Sequence, residues 1–267
     1  MMKLHSIPLV VVLAACGAEA PDAISGDPTA QNSASVTGDA RGSTSTVWTV
    51  AATSEAIRVD FLVQDKSGQV VKDFADLNTQ KMHLFGFDVN NLALLAHSHP
   101  TADAQGQFHA LLPIAPGGKL GLFAEYQVTG ATSGQIDRGE FSSGSEDGAA
   151  HFDLVNRKKS ANGLTFTLKK DQLMVGMAMP LLVVVTDASG QPAALDPWLA
   201  KGGHLLAVQA AAPRLYHFYA TPGSIPKPGE LSFNCSVDKS GNFRVFVQVL
   251  KHGELEPTTV FFDVLSR

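Results

Sequence analysis

Five of the nine histidines fall into two related patterns. The first is Met82-His83-Leu84-Phe85, a loop over 88–91, then His97-Ser98-His99-Pro100. The second is His204-Leu205, then His217, with Tyr219 where a third imidazole would stand. Each pattern reads as a hairpin. A turn centred on Asn90 would set His83 directly opposite His97, with Cβ atoms about 4.5–5.5 Å apart. Side chains alternate along a strand, so His97 and His99 share a face. Three imidazoles would then meet on one patch, whereas a one-residue slip would separate them. Imidazole suits copper and zinc, and three ligands leave a coordination position open. His83, His97 and His99 are therefore the first metal candidates, and His204, His217 and Tyr219 a weaker set. Met174, Met177 and Met179 are a third group, because thioethers select Cu(I). The plainer readings are histidines on an exposed strand face and methionines filling a core, since Met177, Met179 and Leu181 alternate as an inward face would. His109 and His151 stand outside both patterns and read as surface residues.

The elements that must position these side chains are strands. Residues 57–63, 120–126, 164–168 and 243–249 alternate apolar and polar, bounded by Gly, Asp, Asn and Pro. Long amphipathic helical windows are absent; 73–77 and 195–200 could each hold one helical turn. The pattern repeats. Gln64-Asp65-Lys66-Ser67-Gly68-Gln69 recurs as Thr186-Asp187-Ala188-Ser189-Gly190-Gln191, and Leu77 aligns with Leu199. His83-Leu84 aligns with His204-Leu205 and His97 with His217. Gly118 to Phe123 aligns with Gly241 to Phe246. The expected fold is all-β, with two tandem immunoglobulin-like β-sandwich domains of roughly 100 residues each. Copy one spans 47–150 and copy two 156–267. Each should have its own core, and the polar, Gly-rich stretch around 145–162 should let them fold independently.

Ahead of them, Lys3 and His5 precede an apolar run over 7–15 that is too short to span a bilayer. It fits a signal peptide, 1–15. Leu13-Ala14-Ala15-Cys16-Gly17 matches the bacterial lipobox, which makes Cys16 the lipidation site and the lipid bilayer a partner. Gly17 after the cysteine favours the outer membrane, so the expected location is the cell envelope, periplasmic or surface-facing. Residues 16–46 are rich in Ala, Gly, Ser and Thr and read as a flexible tether, unable to bury enough surface to offset ordering entropy. Removing 1–15 takes away Lys3 and leaves 19 bases against 25 acids. A mildly acidic chain with no basic block disfavours nucleic acid. Cys235 is the only other cysteine, so with Cys16 acylated no intrachain disulfide forms; a buried free thiol is expected.

The pattern of His-Leu, a loop, His-x-His-Pro and a following Gly-x-Leu/Phe strand resembles secreted immunoglobulin-like domains of bacterial lipoproteins, including YtkA-like proteins. It covers about 55–128 and 163–264. The resemblance implies a metal-handling association, carried by His83, His97, His99, His204 and His217; copy two departs from it, with Tyr219-Ala220 in place of His-Pro. His97-Ser98-His99-Pro100 also resembles the zinc motif of JAMM isopeptidases, but the required Ser and Asp positions hold Gln107 and Ala110. Nucleophile-elbow, P-loop and His-Glu-x-x-His signatures are missing, so no enzyme is expected. Two functions remain. One is an envelope module binding a metal, copper ahead of zinc. The other is a metal-free module holding an envelope protein or glycan.

Overall fold

The computed structural model describes residues 33–37, 44–53, 55–113, 118–142, 150–170, 172–209, 214–220 and 228–267. Cys16, the apolar run before it and most of the tether lie outside these. Every regular element among the described residues is a strand, and none of these residues forms a helix able to cross a membrane.

Copy one holds β1 (Ser33–Thr37), β2 (Thr44–Ala52), β3 (Ile57–Asp65), β4 (Phe74–Ala75), β5 (Met82–Asp88), β6 (Ala93–Ser98), β7 (Phe108–Leu112), β8 (Lys119–Val128) and β9 (Gln135–Ser142). One sheet runs β1-β2-β3-β7; the other runs β4-β8-β5-β6, with β9 also on β8. Copy two holds β10 (Lys158–Ala161), β11 (Leu164–Lys170), β12 (Gln172–Leu173), β13 (Met179–Thr186), β14 (Leu195–Asp196), β15 (Gly203–Gln209), β16 (Leu215–Ala220), β17 (Glu230–Cys235), β18 (Gly241–Lys251) and β19 (Thr258–Ser266). Its sheets are β10-β11-β13-β17 and β12-β19-β18-β15-β16, with β14 on β18. Each copy is thus a two-sheet sandwich. Alternate residues of facing strands fill its core, such as Val59, Phe61, Leu84 and Leu122 in copy one and Phe166, Val183, Leu205 and Val247 in copy two.

Three expectations need correcting. Part of the stretch read as tether is strand: β1 pairs with β2, and β2 begins at Thr44. A run rich in β-branched residues can add to an open sheet edge through backbone bonds alone, which composition does not reveal. The segments read as helical turns are instead the short strands β4 and β14, captured by β8 and β18. Each leads into a tight turn closed by Leu77–Gln80 or Trp198–Lys201 backbone bonds. Leu77 therefore matches Trp198, one residue before the expected Leu199. The turns confirm this: Asn78 and Thr79 take positive φ, as do Leu199 and Ala200.

A third core lies between the copies. Phe85, Phe87, Leu92 and Phe123 of copy one pack with Leu206, Val208, Leu215 and Phe246 of copy two. β5 and β15 are consequently buried along their whole length, on both faces. Met82 and Leu84 point into their own sandwich, while His83, Phe85 and Phe87 point at the other copy. The copies are therefore packed on each other over an apolar face and are not beads on a string.

Candidate metal centre

The register of the first hairpin differs from expectation. Phe85 pairs with His97 and Leu84 with Ser98, so His83 aligns with the position of His99. A bulge between Gly86 and Phe87, and a turn in which the Asp88 carboxylate accepts the Asn90 and Asn91 amides, move the pairing by two residues. An even shift keeps every side chain on its face, so the trio still converges. Ring centroids lie 5.6 Å apart for His83–His97 and 4.8 Å for both His83–His99 and His97–His99. The second hairpin follows the same plan: His204 pairs with Tyr219 and Leu206 with His217.

The two hairpins do not form two sites. They face each other across the third core. His97 lies against His204 and His217, and His83 against His217, at centroid distances of 5.5–5.8 Å. Cross-copy bonds orient the rings. His97 Nδ1 is 2.8 Å from Gln248 Oε1, and His217 Nδ1 is 2.6 Å from Glu125 Oε2. Glu125 pairs with His83 in β5–β8, and Gln248 pairs with His204 in β15–β18. Each copy thus lends the equivalent residue to the other, the reciprocity of a two-fold contact. Trp198 covers the cluster, 5.2 Å from His97, 6.4 Å from His99 and 4.5 Å from His204.

Tautomers follow from these bonds. His83 Nε2 donates to the Leu77 carbonyl at 2.8 Å, and His204 Nε2 to that of Trp198 at 3.1 Å. Both rings therefore aim an Nδ1 lone pair into the cluster. Gln248 Nε2 donates to Thr259 Oγ1, leaving Oε1 to accept from His97 Nδ1–H. His97 Nε2 is then a lone pair as well, and it faces His83 Nδ1 at 3.3 Å. With Gln248 in this orientation two lone pairs meet with no proton between them. His99 Nε2 is buried with no partner among the described residues. Burial holds His83 below, and His97 well below, the ordinary imidazole range, which works against protonation of either ring. A metal ion would relieve the contact. Nitrogens bound at about 2.0–2.1 Å in a tetrahedron stand roughly 3.3 Å apart.

Copy two satisfies itself differently. Burial raises Glu125 to about 7. With that carboxyl protonated, Glu125 donates to His217 Nδ1 and His217 Nε2 donates to His204 Nδ1 at 3.0 Å. His204 Nε2 then donates to Trp198 O, which completes a chain that needs no ion. Burial sets both imidazoles at about 3. Tyr219 Oη lies 2.8 Å from His217 Nδ1 and donates to Glu125 Oε2, on the side of the ring away from His204. Its place is that of a second orienting group.

Among the described residues three groups could bring ligand atoms within 4.8 Å of one another: His83, His97 and His99; His97, His204 and His217; and His83, Glu125 and His217. The methionines lie elsewhere: Met174 and Met177 bridge a tight turn, and Met179 opens β13. Met177 is exposed and no described contact joins the three to the histidines. Cys235 is buried and free, its thiol pushed up to about 12 by burial. His109 sits at the surface with Asp60 and Asp103.

A family model described as a domain of unknown function (DUF8832) matches residues 159–265, within copy two. No curated protein matches the chain. Among solved structures it is similar to invasin, a bacterial integrin-binding protein, at 18% identity and a TM-score of 0.22, covering 78% of this chain and 36% of that one. A biofilm-associated protein BSP domain follows at 8% identity and 0.24, covering 88% and 51%. A beta-glucuronidase of Parabacteroides merdae follows at 13% and 0.19, covering 80% and 22%. The chain spans about half or less of the length of these structures.

Glu125, Gln248 and Trp198 were not legible as site residues from the histidine pattern alone. The signal for two of them lay in the repeat: extending the match of Phe123 with Phe246 by two residues pairs Glu125 with Gln248.

Proposed function

We propose that the chain is a transition-metal-binding module of the cell envelope, with its ion held between the two sandwiches by the imidazole cluster. The observation that carries this is the convergence of three buried imidazoles, with His83 Nδ1 3.3 Å from His97 Nε2 and His99 Nε2 without a partner among the described residues. Their tautomers are held by Leu77 O and Gln248 Oε1, the outer partners a ligating imidazole needs. Copper is favoured over zinc. It heads the divalent affinity order, and as Cu(I) it brings a single charge into a site whose ligands are neutral and desolvated. Attachment through a lipid on Cys16, in the outer membrane, is part of the same reading and rests on the lipobox.

The test is metal analysis of protein purified from the periplasm without added metal, with competitive titration of wild type, His97→Ala and His109→Ala. Metal in the wild type and in His109→Ala, with at least a hundredfold loss in His97→Ala, is the expected result. Equal weak binding by all three would leave the metal-free module for a protein or glycan partner. The anchor is tested separately: Cys16→Ser should move the protein from the membrane to the soluble fraction.

A further inference from the structure

Two three-imidazole sets occur in the cluster, and they share one member. His83, His97 and His99 can close on an ion, as can His97, His204 and His217. Resting on the metal reading above, we propose that the cluster is a two-seat site for a single transition-metal ion. His97 is the ligand common to both seats, and the ion passes from one copy to the other by ligand exchange around it.

The geometry supplies what such a transfer requires. An ion leaving one seat in an apolar interior would have to shed ligands without water to replace them, at large desolvation cost. With His97 held throughout, it exchanges His83 and His99 for His204 and His217 and keeps at least one bond. His97 is aligned for this by Gln248, which reaches it from the opposite sandwich. Its ring lies 5.6 Å from His83 and 4.8 Å from His99 on one side, and 5.8 Å from His204 and 5.5 Å from His217 on the other.

The seats are unequal. In the first, His99 Nε2 has no partner among the described residues, and His83 Nδ1 and His97 Nε2 stand at a longer 3.3 Å. In the second, His204 Nδ1 and His217 Nε2 already share a hydrogen bond at 3.0 Å. An ion taking both nitrogens must break that bond. The first seat is therefore the resting one and the second is reached by exchange, the arrangement of a module that receives or hands on a metal cargo.

The experiment uses the full chain, stripped of metal and loaded with Cu(II) or Co(II). It reads stoichiometry by metal analysis, ligand geometry by Cu(II) electron paramagnetic resonance and Co(II) visible absorption, and folding by thermal melt. One ion per chain is expected at saturation. His99→Ala should keep one ion, bound no more than about tenfold more weakly, with a changed spectrum as the second seat fills. His204→Ala should keep the wild-type spectrum. The double variant, folded by the same melt, should lose at least a hundredfold, far more than the two single effects combined. Two ions per chain in the wild type, or complete loss of the ion in His99→Ala, overturns the shared-seat proposal while leaving the metal reading in place. No ion in the wild type overturns both.

Discussion

The two sandwiches share a plan and differ at a few matched positions. Where copy one places Tyr126 and Asp137 in its core, copy two places Val249 and Val260. Asp137 is fully buried and accepts bonds from Thr46, Tyr126 and Gln135. Where copy two carries Arg244, copy one carries Gly121. Arg244 pairs with Asp263 and donates to the Asn91 carbonyl across the interface and to that of His151 in the connecting segment, while a Cβ on Gly121 would stand 2.8 Å from Val89. At the cluster His99 of copy one corresponds to Tyr219 of copy two, and Glu125 to Gln248. The copies have divided the work: copy one supplies three imidazoles and Glu125, and copy two supplies two imidazoles, Gln248, the arginine and the Trp198 cover. A repeat under one shared apolar face can specialise in this way, because neither half has to be complete.

The largest expected effect is acid sensitivity, and it tests whether the cluster is neutral as a unit. Burial holds His99, His204 and His217 at about 3 in the folded chain, against 6.5 for a free imidazole. Between those values the unfolded chain binds more protons, so stability rises with pH there and falls as pH drops below 6.5. Each imidazole contributes a slope of about 1.4 kcal/mol per pH unit. The metal-free protein should lose cooperative structure in mild acid, and His99→Gln should move that transition to lower pH. An unchanged transition would mean these rings are already charged.

Next is Arg244→Ala, which takes the paired cation from the buried Asp263 carboxylate and removes one bond to copy one, at Asn91, and one to the connecting segment, at His151. Denaturant unfolding should show a loss of about 3–5 kcal/mol, whereas Gly121→Ala should cost about 1–3 kcal/mol through overpacking alone. Equal losses would break the assignment of the arginine to copy two. Tyr126→Phe comes third, at about 1–3 kcal/mol, because it leaves Asp137 short of a donor; Val249 offers copy two no such liability. The smallest is Gln248→Glu with Glu125→Gln. The exchanged pair should change stability by about 1 kcal/mol or less while changing metal affinity, since it alters the groups that orient the His97 and His217 rings. Unchanged metal affinity would remove Gln248 from the site.

Much of this was readable from the chain because strands alternate with period two. The repeat, the sandwich class and the histidine trio all follow from which residues share a face. The trio survived a wrong register because the error was two residues, and an even slip does not change faces. The interface was not readable. Its residues, Phe85, Phe87, Leu206 and Val208, lie in strands buried on both faces, where alternation is lost and a long apolar run fits one core as well as two. Trp198 was hidden for another reason: matching leucine to leucine set Leu77 on Leu199, whereas the equivalent turns place Trp198 at the position of Leu77.

β5 and β15 are covered on both faces and bonded along both edges, β5 by β6 and β8, β15 by β16 and β18. Their amides should be the last in the molecule to exchange with deuterium, appearing only on global opening. His83 and His204 stand on those two strands. Anything held by them is anchored to the slowest-breathing part of the chain, while His97, His99 and His217 ride on or beside the outer strands β6 and β16. Release would then be timed by fraying of the two outer hairpin strands, and the lifetime of the bound state would be a property of backbone opening more than of bond strength.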